Sequence, residues 1–204
     1  MKQIHLISLD SASHSMFVKR GWKPVEANLI TPSTFILFSG GEDVSPHLYE
    51  SERHHTTFNN VKRDEYEARL FNQYKDNPKI GICRGGQFLN VMSGGKMYQN
   101  VDGHLGDHVL FDCDTNEKVI VTSTHHQMMY PDPKLGKIVC TAQEGTFRQT
   151  YNHEFHAGID YPPGSDIEVV WYPHTNSLCY QPHPEYEVKS CEDHFFKVIE
   201  RYFN

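Results

Sequence analysis

Apolar positions along the chain fall into short blocks of two kinds. Residues 4–9 (IHLISL) and 35–38 (FILF) are runs too short for a helix. The second has no polar alternation, which predicts a strand buried on both faces. It runs straight into Ser39-Gly40-Gly41. Over 63–77 the period changes. Tyr66, Leu70 and Tyr74 recur every four positions beside Phe71, which predicts an amphipathic helix with these side chains on its buried side. Asp64 and Glu65 suit the positive end of that helix, and Pro78 is its stop. Residues 79–83 (KIGIC) read as a strand and 86–93 as a helix ended by Gly94-Gly95.

The second half predicts strands at 118–123, 137–141, 167–172 and 178–181, with a loop over 100–117. A C-terminal helix over 190–203 carries Phe195, Ile199 and Phe203 on one stripe. Strands alternating with helical patterns predict an α/β fold.

A chain of 204 residues without internal repeat or linker is expected to form one domain over 1–204. Its net charge of −7 and lack of a basic run argue against nucleic-acid binding. The longest apolar run, 35–38, is far short of the roughly 20 residues of a membrane span. Residues 1–10 lack the apolar region of a signal peptide. Five scattered cysteines and no N-x-S/T acceptor predict free thiols and a cytoplasmic location.

The segment Gly81-Ile82-Cys83-Arg84-Gly85-Gly86-Gln87 joins a strand to a helix through G-x-C-x-G. This is the nucleophile-elbow pattern with cysteine as nucleophile. Gly81 and Gly85 allow the close backbone approach of such a turn. At a helix N-terminus the dipole favours a thiolate, and free N–H groups can hold an oxyanion. A cysteine nucleophile needs a base, and the base needs an acceptor to fix its tautomer. His183 and Glu185, in Gln181-Pro182-His183-Pro184-Glu185, supply that pair. In an extended segment, two residues apart, they would point to one side. The Gly40-Gly41 turn follows a strand's C-terminal end, where an open α/β sheet places ligand contacts, and one N–H there suits an oxyanion hole.

These blocks resemble the class I glutamine amidotransferases, whose site is a Cys-His-Glu triad. Within that family the chain most resembles the γ-glutamyl hydrolase (peptidase C26) branch, which includes the γ-glutamyl-γ-aminobutyrate hydrolases. The narrower likeness rests on residues 40–49 (GGEDVSPHLY), 63–67 (RDEYE), 90–99 (NVMSGGKMYQ) and 123–127 (STHHQ). The resemblance implies a three-layer α/β sandwich, flavodoxin-like, with a mostly parallel central sheet. It implies Cys83 as nucleophile, His183 as general base and acid, and Glu185 as its orienting carboxylate. The N–H groups of Gly41 and Arg84 would form the oxyanion hole. Gly40, Gln87, Ser123, His125 and His126 would shape the site for a small γ-glutamyl substrate. The implied reaction is hydrolysis of a γ-glutamyl amide. One alternative is a glutaminase subunit feeding ammonia to a synthetase or amidoligase; another is a catalytically silent binding member.

No cofactor is expected. No G-x-x-x-x-G-K-[ST] phosphate loop, C-x-x-C or H-E-x-x-H is present, so no metal site is expected either. His104 and His108 are four apart, but Gly106 between them argues against a helix. His54-His55 and His153/His156 read as solvated loop residues.

Overall fold

The apolar blocks become strands of one nine-stranded sheet. The computed structural model describes residues 1–8, 10–101, 103–142, 148–149 and 166–203. In chain order the strands are β1 (Gln3–Leu6), β2 (Lys23–Pro24), β3 (Phe35–Phe38), β4 (Lys79–Ile82), β5 (Lys96–Tyr98) and β6 (Asn100–Val101). They continue as β7 (Leu105–Asp112), β8 (Lys118–Thr124), β9 (Met128–Tyr130), β10 (Lys137–Ala142), β11 (Arg148–Gln149), β12 (Asp166–Tyr172) and β13 (Ser177–Tyr180). The helices are α1 (Ser11–Lys19), α2 (Val61–Gln73), α3 (Arg84–Met92) and α4 (Lys189–Phe203).

The large sheet has the order β2-β1-β3-β4-β13-β12-β10-β7-β8. Strands from β2 to β13 in that order run parallel, and from β13 to β8 each pairing is antiparallel. Met16 and Phe17 of α1 and Phe195 and Ile199 of α4 pack in the core on one face. Phe71 of α2 and Phe88 and Leu89 of α3 pack on the other, completing three layers. The register pairs Phe38 with Gly81 and Ile82 with Tyr180. The C-terminal ends of β3, β4 and β13 therefore meet, and each chain segment leaving them carries one of the three motifs. All five cysteines are free thiols, and Cys140 and Cys179 are fully buried. Among the described residues no helix is long and apolar enough to cross a membrane.

Several sequence expectations are corrected. The region read as a loop over 100–117 holds β6 and the eight-residue β7. Its inward positions include His108 and Asp112 beside Leu110, so an apolar alternation never shows. In α2 the buried face is Asp64, Glu67 and Phe71, while Tyr66 is 47% exposed. The two carboxylates go inside because they meet a buried arginine, described below. Helix α1, unread in the sequence, buries only Ser13, Met16 and Phe17 and is started by the Asp10 side chain, which accepts from Ala12 N at 3.0 Å. His54 is buried, its Nδ1 2.8 Å from Thr56 Oγ1. Strand β1 ends at Leu6, and residues 9, 102, His153 and His156 lie outside the described residues.

Candidate active site

Strand β4 ends at Ile82, and α3 begins at Arg84. Cys83 alone makes the turn, with φ 50° and ψ −114°. This is a left-handed conformation that a residue with a Cβ adopts only when its surroundings impose it. Here the surroundings are backbone. A Cβ added to Gly81 would overlap the peptide of Gly85 and Gly86, and one on Gly85 would overlap the Phe38 carbonyl. The glycines let three chain segments pass at van der Waals distance. Cys83 N–H donates to Tyr180 O at 2.8 Å, and Gln87 N–H donates to Cys83 O at 3.0 Å.

His183 follows β13, fixed by its N–H to Thr122 O at 2.9 Å. A 3-10 turn over Pro184–Tyr186 then folds Glu185 back beneath the ring, so a turn and not an extended segment brings the two side chains together. His183 Nδ1–H donates to Glu185 Oε1 at 2.7 Å. Nε2 lies 3.1 Å from Thr124 Oγ1. The Tyr186 ring stacks on the imidazole at 4.3 Å and 3°. Burial alone would lower the His183 pKa. Hydrogen bonding and charge from Cys83 and Glu185 outweigh it and lift the value to about 10. A Cβ on Gly40 would lie 3.4 Å from His183 Cε1 and 3.9 Å from Cys83 Cβ, so the three residues surround one point.

Sequence reasoning missed what holds the Gly40-Gly41 turn. Arg63 lies directly against Gly41, which has φ 146° and no room for a Cβ. Its Nη2 donates to Ser39 O at 3.1 Å and Gly40 O at 3.0 Å. Its Nε donates to Glu67 Oε1 at 2.9 Å. The other oxygen of Glu67 pairs with Arg84 Nη1, and Asp64 pairs with Arg84 Nη2. Asp64 also accepts from Ser45 N at 2.8 Å. The signal was present as two acids three apart on a helix, i and i+3, with an arginine beside them.

A cleft of about 250 Å³ opens at Cys83. Gly41, Asp43, Arg84, Gln87, Thr124, His125, His126 and Gln127 line it, with Phe58 at its edge. His126 Nε2 donates to Asp43 at 3.1 Å, and that contact raises the His126 pKa. Gln87 is turned into a brace, its amide donating to Gln127 O at 3.0 Å and Gln181 Oε1 at 3.1 Å. Ser123 is fully buried in β8 and does not border the cleft, whereas its neighbour Thr124 does. A larger hollow of about 580 Å³ between β8 and α4 is bordered by Ser190 and His194, but these bond elsewhere, Ser190 Oγ donating to Ile120 O at 2.7 Å and His194 Nε2 to Asp112 Oδ2 at 3.1 Å.

Among the described residues two groups have ligand atoms close enough to share a metal ion: His104, His108 and Glu168, and Asp112, Cys140 and His194. Neither includes Cys83 or His183. In the second, Asp112 is already held by Arg201 at 2.8 Å and His194 at 3.1 Å.

Comparison with known proteins gives the family and the fold. The family model described as Peptidase C26 matches residues 27–156. A putative glutamine amidotransferase-like protein, YvdE of Lactococcus lactis, is 27% identical over 184 residues, covering 84% of this chain and 73% of YvdE. Protein NtpR of Enterococcus hirae is 38% identical over 69 residues, covering 32% of this chain and 29% of NtpR. The match thus spans less than a third of that relative. Among solved structures, a glutamine amidotransferase of Thermotoga maritima superposes with a TM-score of 0.61 at 13% identity, over 100% of this chain and 86% of that one. That likeness is one of fold.

Proposed function

Because the chain belongs to the peptidase C26 family of class I glutamine amidotransferase-like proteins, we propose that it hydrolyses a γ-glutamyl amide through Cys83. The observation that carries this reading is the left-handed Cys83 beside a His183–Glu185 pair at 2.7 Å.

The reactive form is the Cys83 thiolate beside the His183 imidazolium, in keeping with the raised His183 pKa. The thiolate attacks the γ-carbonyl carbon. The resulting oxyanion lies toward the N–H groups of Gly41 and of Arg84, the latter a first-turn amide without an intrahelical acceptor. His183 gives its Nε2 proton to the amine, the C–N bond breaks, and a γ-glutamyl thioester remains. His183, now neutral, takes a proton from water, which attacks the thioester and releases glutamate and the thiolate. Glu185 keeps the imidazole oriented throughout. Gly40, Gln87, Thr124, His125 and His126 surround the glutamyl moiety, and Phe58 stands where the amine leaves.

The deciding experiment incubates the purified protein with glutamine and with γ-glutamyl amines and peptides and measures glutamate release. Turnover of a substituted amide without a partner supports a free-standing γ-glutamyl hydrolase. Turnover of glutamine alone, and only with a synthetase or amidoligase present, replaces that reading by an ammonia-supplying component of a larger enzyme. No turnover of any amide, with Cys83 unlabelled by a glutamine-like chloroketone, leaves a silent binding member.

A further inference from the structure

Glu168 is fully buried, and three histidines converge on it. His104 and His108 lie an even number of residues apart, immediately before and within β7, so both face inward. His125 follows β8. Glu168 sits at the irregularity in β12 where Cys140 pairs with Val169 but Thr141 pairs with Ile167, a bulge of the kind that re-aims a side chain.

The outer nitrogen of each ring is committed to a group that only accepts. His104 Nε2 donates to Asp166 Oδ2 at 2.8 Å, His125 Nδ1 to Gln127 O at 2.8 Å, and His108 Nδ1 to Gly106 O at 3.4 Å. The proton of each neutral ring is therefore on the outside. In neutral rings the inner nitrogens then carry lone pairs and point at the Glu168 carboxylate, which also carries only lone pairs. His104 Nδ1 and His125 Nε2 are 3.1 and 3.3 Å from Oε1, and His108 Nε2 is 3.8 Å from Oε2. None of these three nitrogens and neither carboxylate oxygen has a hydrogen-bond partner among the described residues. Buried lone pairs that meet with no donor among the described residues need a proton or a cation between them.

We propose that His104, His108 and Glu168, whose ligand atoms all lie within 4.8 Å of one another, bind one divalent transition-metal ion of the Zn2+ type, with its remaining position open to water. Borderline imidazole and carboxylate donors suit such an ion. The nitrogen–oxygen separations bracket the ~3.3 Å edge of a tetrahedron with metal–ligand bonds of about 2.0 Å. The outer hydrogen bonds to Asp166 and to backbone carbonyls match the partners that orient metal-bound histidines. The ion would tie the start of β7 to β12, next to His125, which lies against Glu168 at 3.3 Å and lines the Cys83 cleft. This inference does not depend on the hydrolytic reading.

The test titrates Co2+ into chelator-treated full-length protein whose thiols have been alkylated. Visible absorption reports coordination, and Zn2+ is added as competitor. We expect one equivalent bound, a d–d spectrum of nitrogen and oxygen ligation, its loss on adding Zn2+, and a rise in melting temperature with Zn2+. His108→Ala and the isosteric Glu168→Gln should each weaken binding by more than ~10-fold, the least effect seen when outer partners of metal ligands are removed. Circular dichroism on both variants separates lost binding from lost fold, and the wild-type titration stands without them. No absorption change in the wild type overturns the proposal and leaves a protonated histidine network. An unchanged spectrum in both folded variants overturns it by placing the ion on other histidines.

Discussion

Glu67 and Arg84 form an ion pair buried on both sides, 2% exposed at each side chain, at the foot of the nucleophile turn. The second oxygen of Glu67 carries Arg63, which in turn holds the carbonyls of Ser39 and Gly40. One carboxylate on α2 thus positions both backbone segments that flank Cys83. Replacing Glu67 by Gln leaves Arg84 with Asp64 alone and loosens Arg63. Loss of one partner from a buried pair costs about 3 kcal/mol or more. We expect Glu67→Gln to lower unfolding free energy by that amount in urea titrations and to reduce kcat. Glu42→Gln removes an exposed partner of the same Arg63, 53% exposed, and should change stability by less than ~1 kcal/mol.

Much of this arrangement was legible in the chain and some was not. The elbow could be read because Gly81 and Gly85 are required by backbone packing that no residue with a Cβ satisfies, and because they flank a cysteine. Helix α4 could be read because its stripe of Phe195 and Ile199 is apolar and fully buried. The face of α2 was misread because sequence periodicity weighs aromatic residues above acids. Glu67 and Asp64 are buried only because Arg84, on another element, is buried with them. The strand β7 was hidden for the same reason, its inward His108 facing Glu168 of β12 and its Asp112 paired with Arg201 of α4. Polar side chains whose partners are distant in sequence leave no local periodicity.

The geometry of Cys83 separates stability from activity. Its φ of 50° with ψ −114° is costly for any residue with a Cβ and free of that cost for glycine. Cys83→Ala and Cys83→Gly both remove the sulfur and should both abolish glutamate release. Cys83→Gly should nonetheless be more stable than Cys83→Ala by about 1–2 kcal/mol, the size of such backbone strain. Elsewhere in a chain the order is usually the reverse. Equal denaturation midpoints for the two variants would show that the turn is relaxed.

Glu185 orients His183 and stabilises its charge without meeting the substrate carbon. Its loss should therefore be milder than loss of the nucleophile, as in other triads. We expect Glu185→Gln to retain measurable turnover while Cys83→Ser loses nearly all of it. In the same variant the His183 pKa, followed by NMR of its Cε1 proton, should fall below the wild-type value. A pKa unchanged in Glu185→Gln would mean that Cys83 alone sustains it.

The raised His183 pKa makes stability depend on pH in a definite direction. The folded value is about 10, and an unfolded histidine titrates near ~6.5. The folded state therefore holds a proton that the unfolded state releases between these values. The stabilisation from His183 is complete below pH ~6.5 and is lost progressively as the pH rises toward 10. Denaturant titrations of the wild type and of His183→Gln at a series of pH values should show the wild type losing more stability over that window. Below pH ~6.5 the difference between the two proteins should stay constant, because both states of the histidine are then protonated. Parallel curves throughout the alkaline range would show that folding adds no proton at this site.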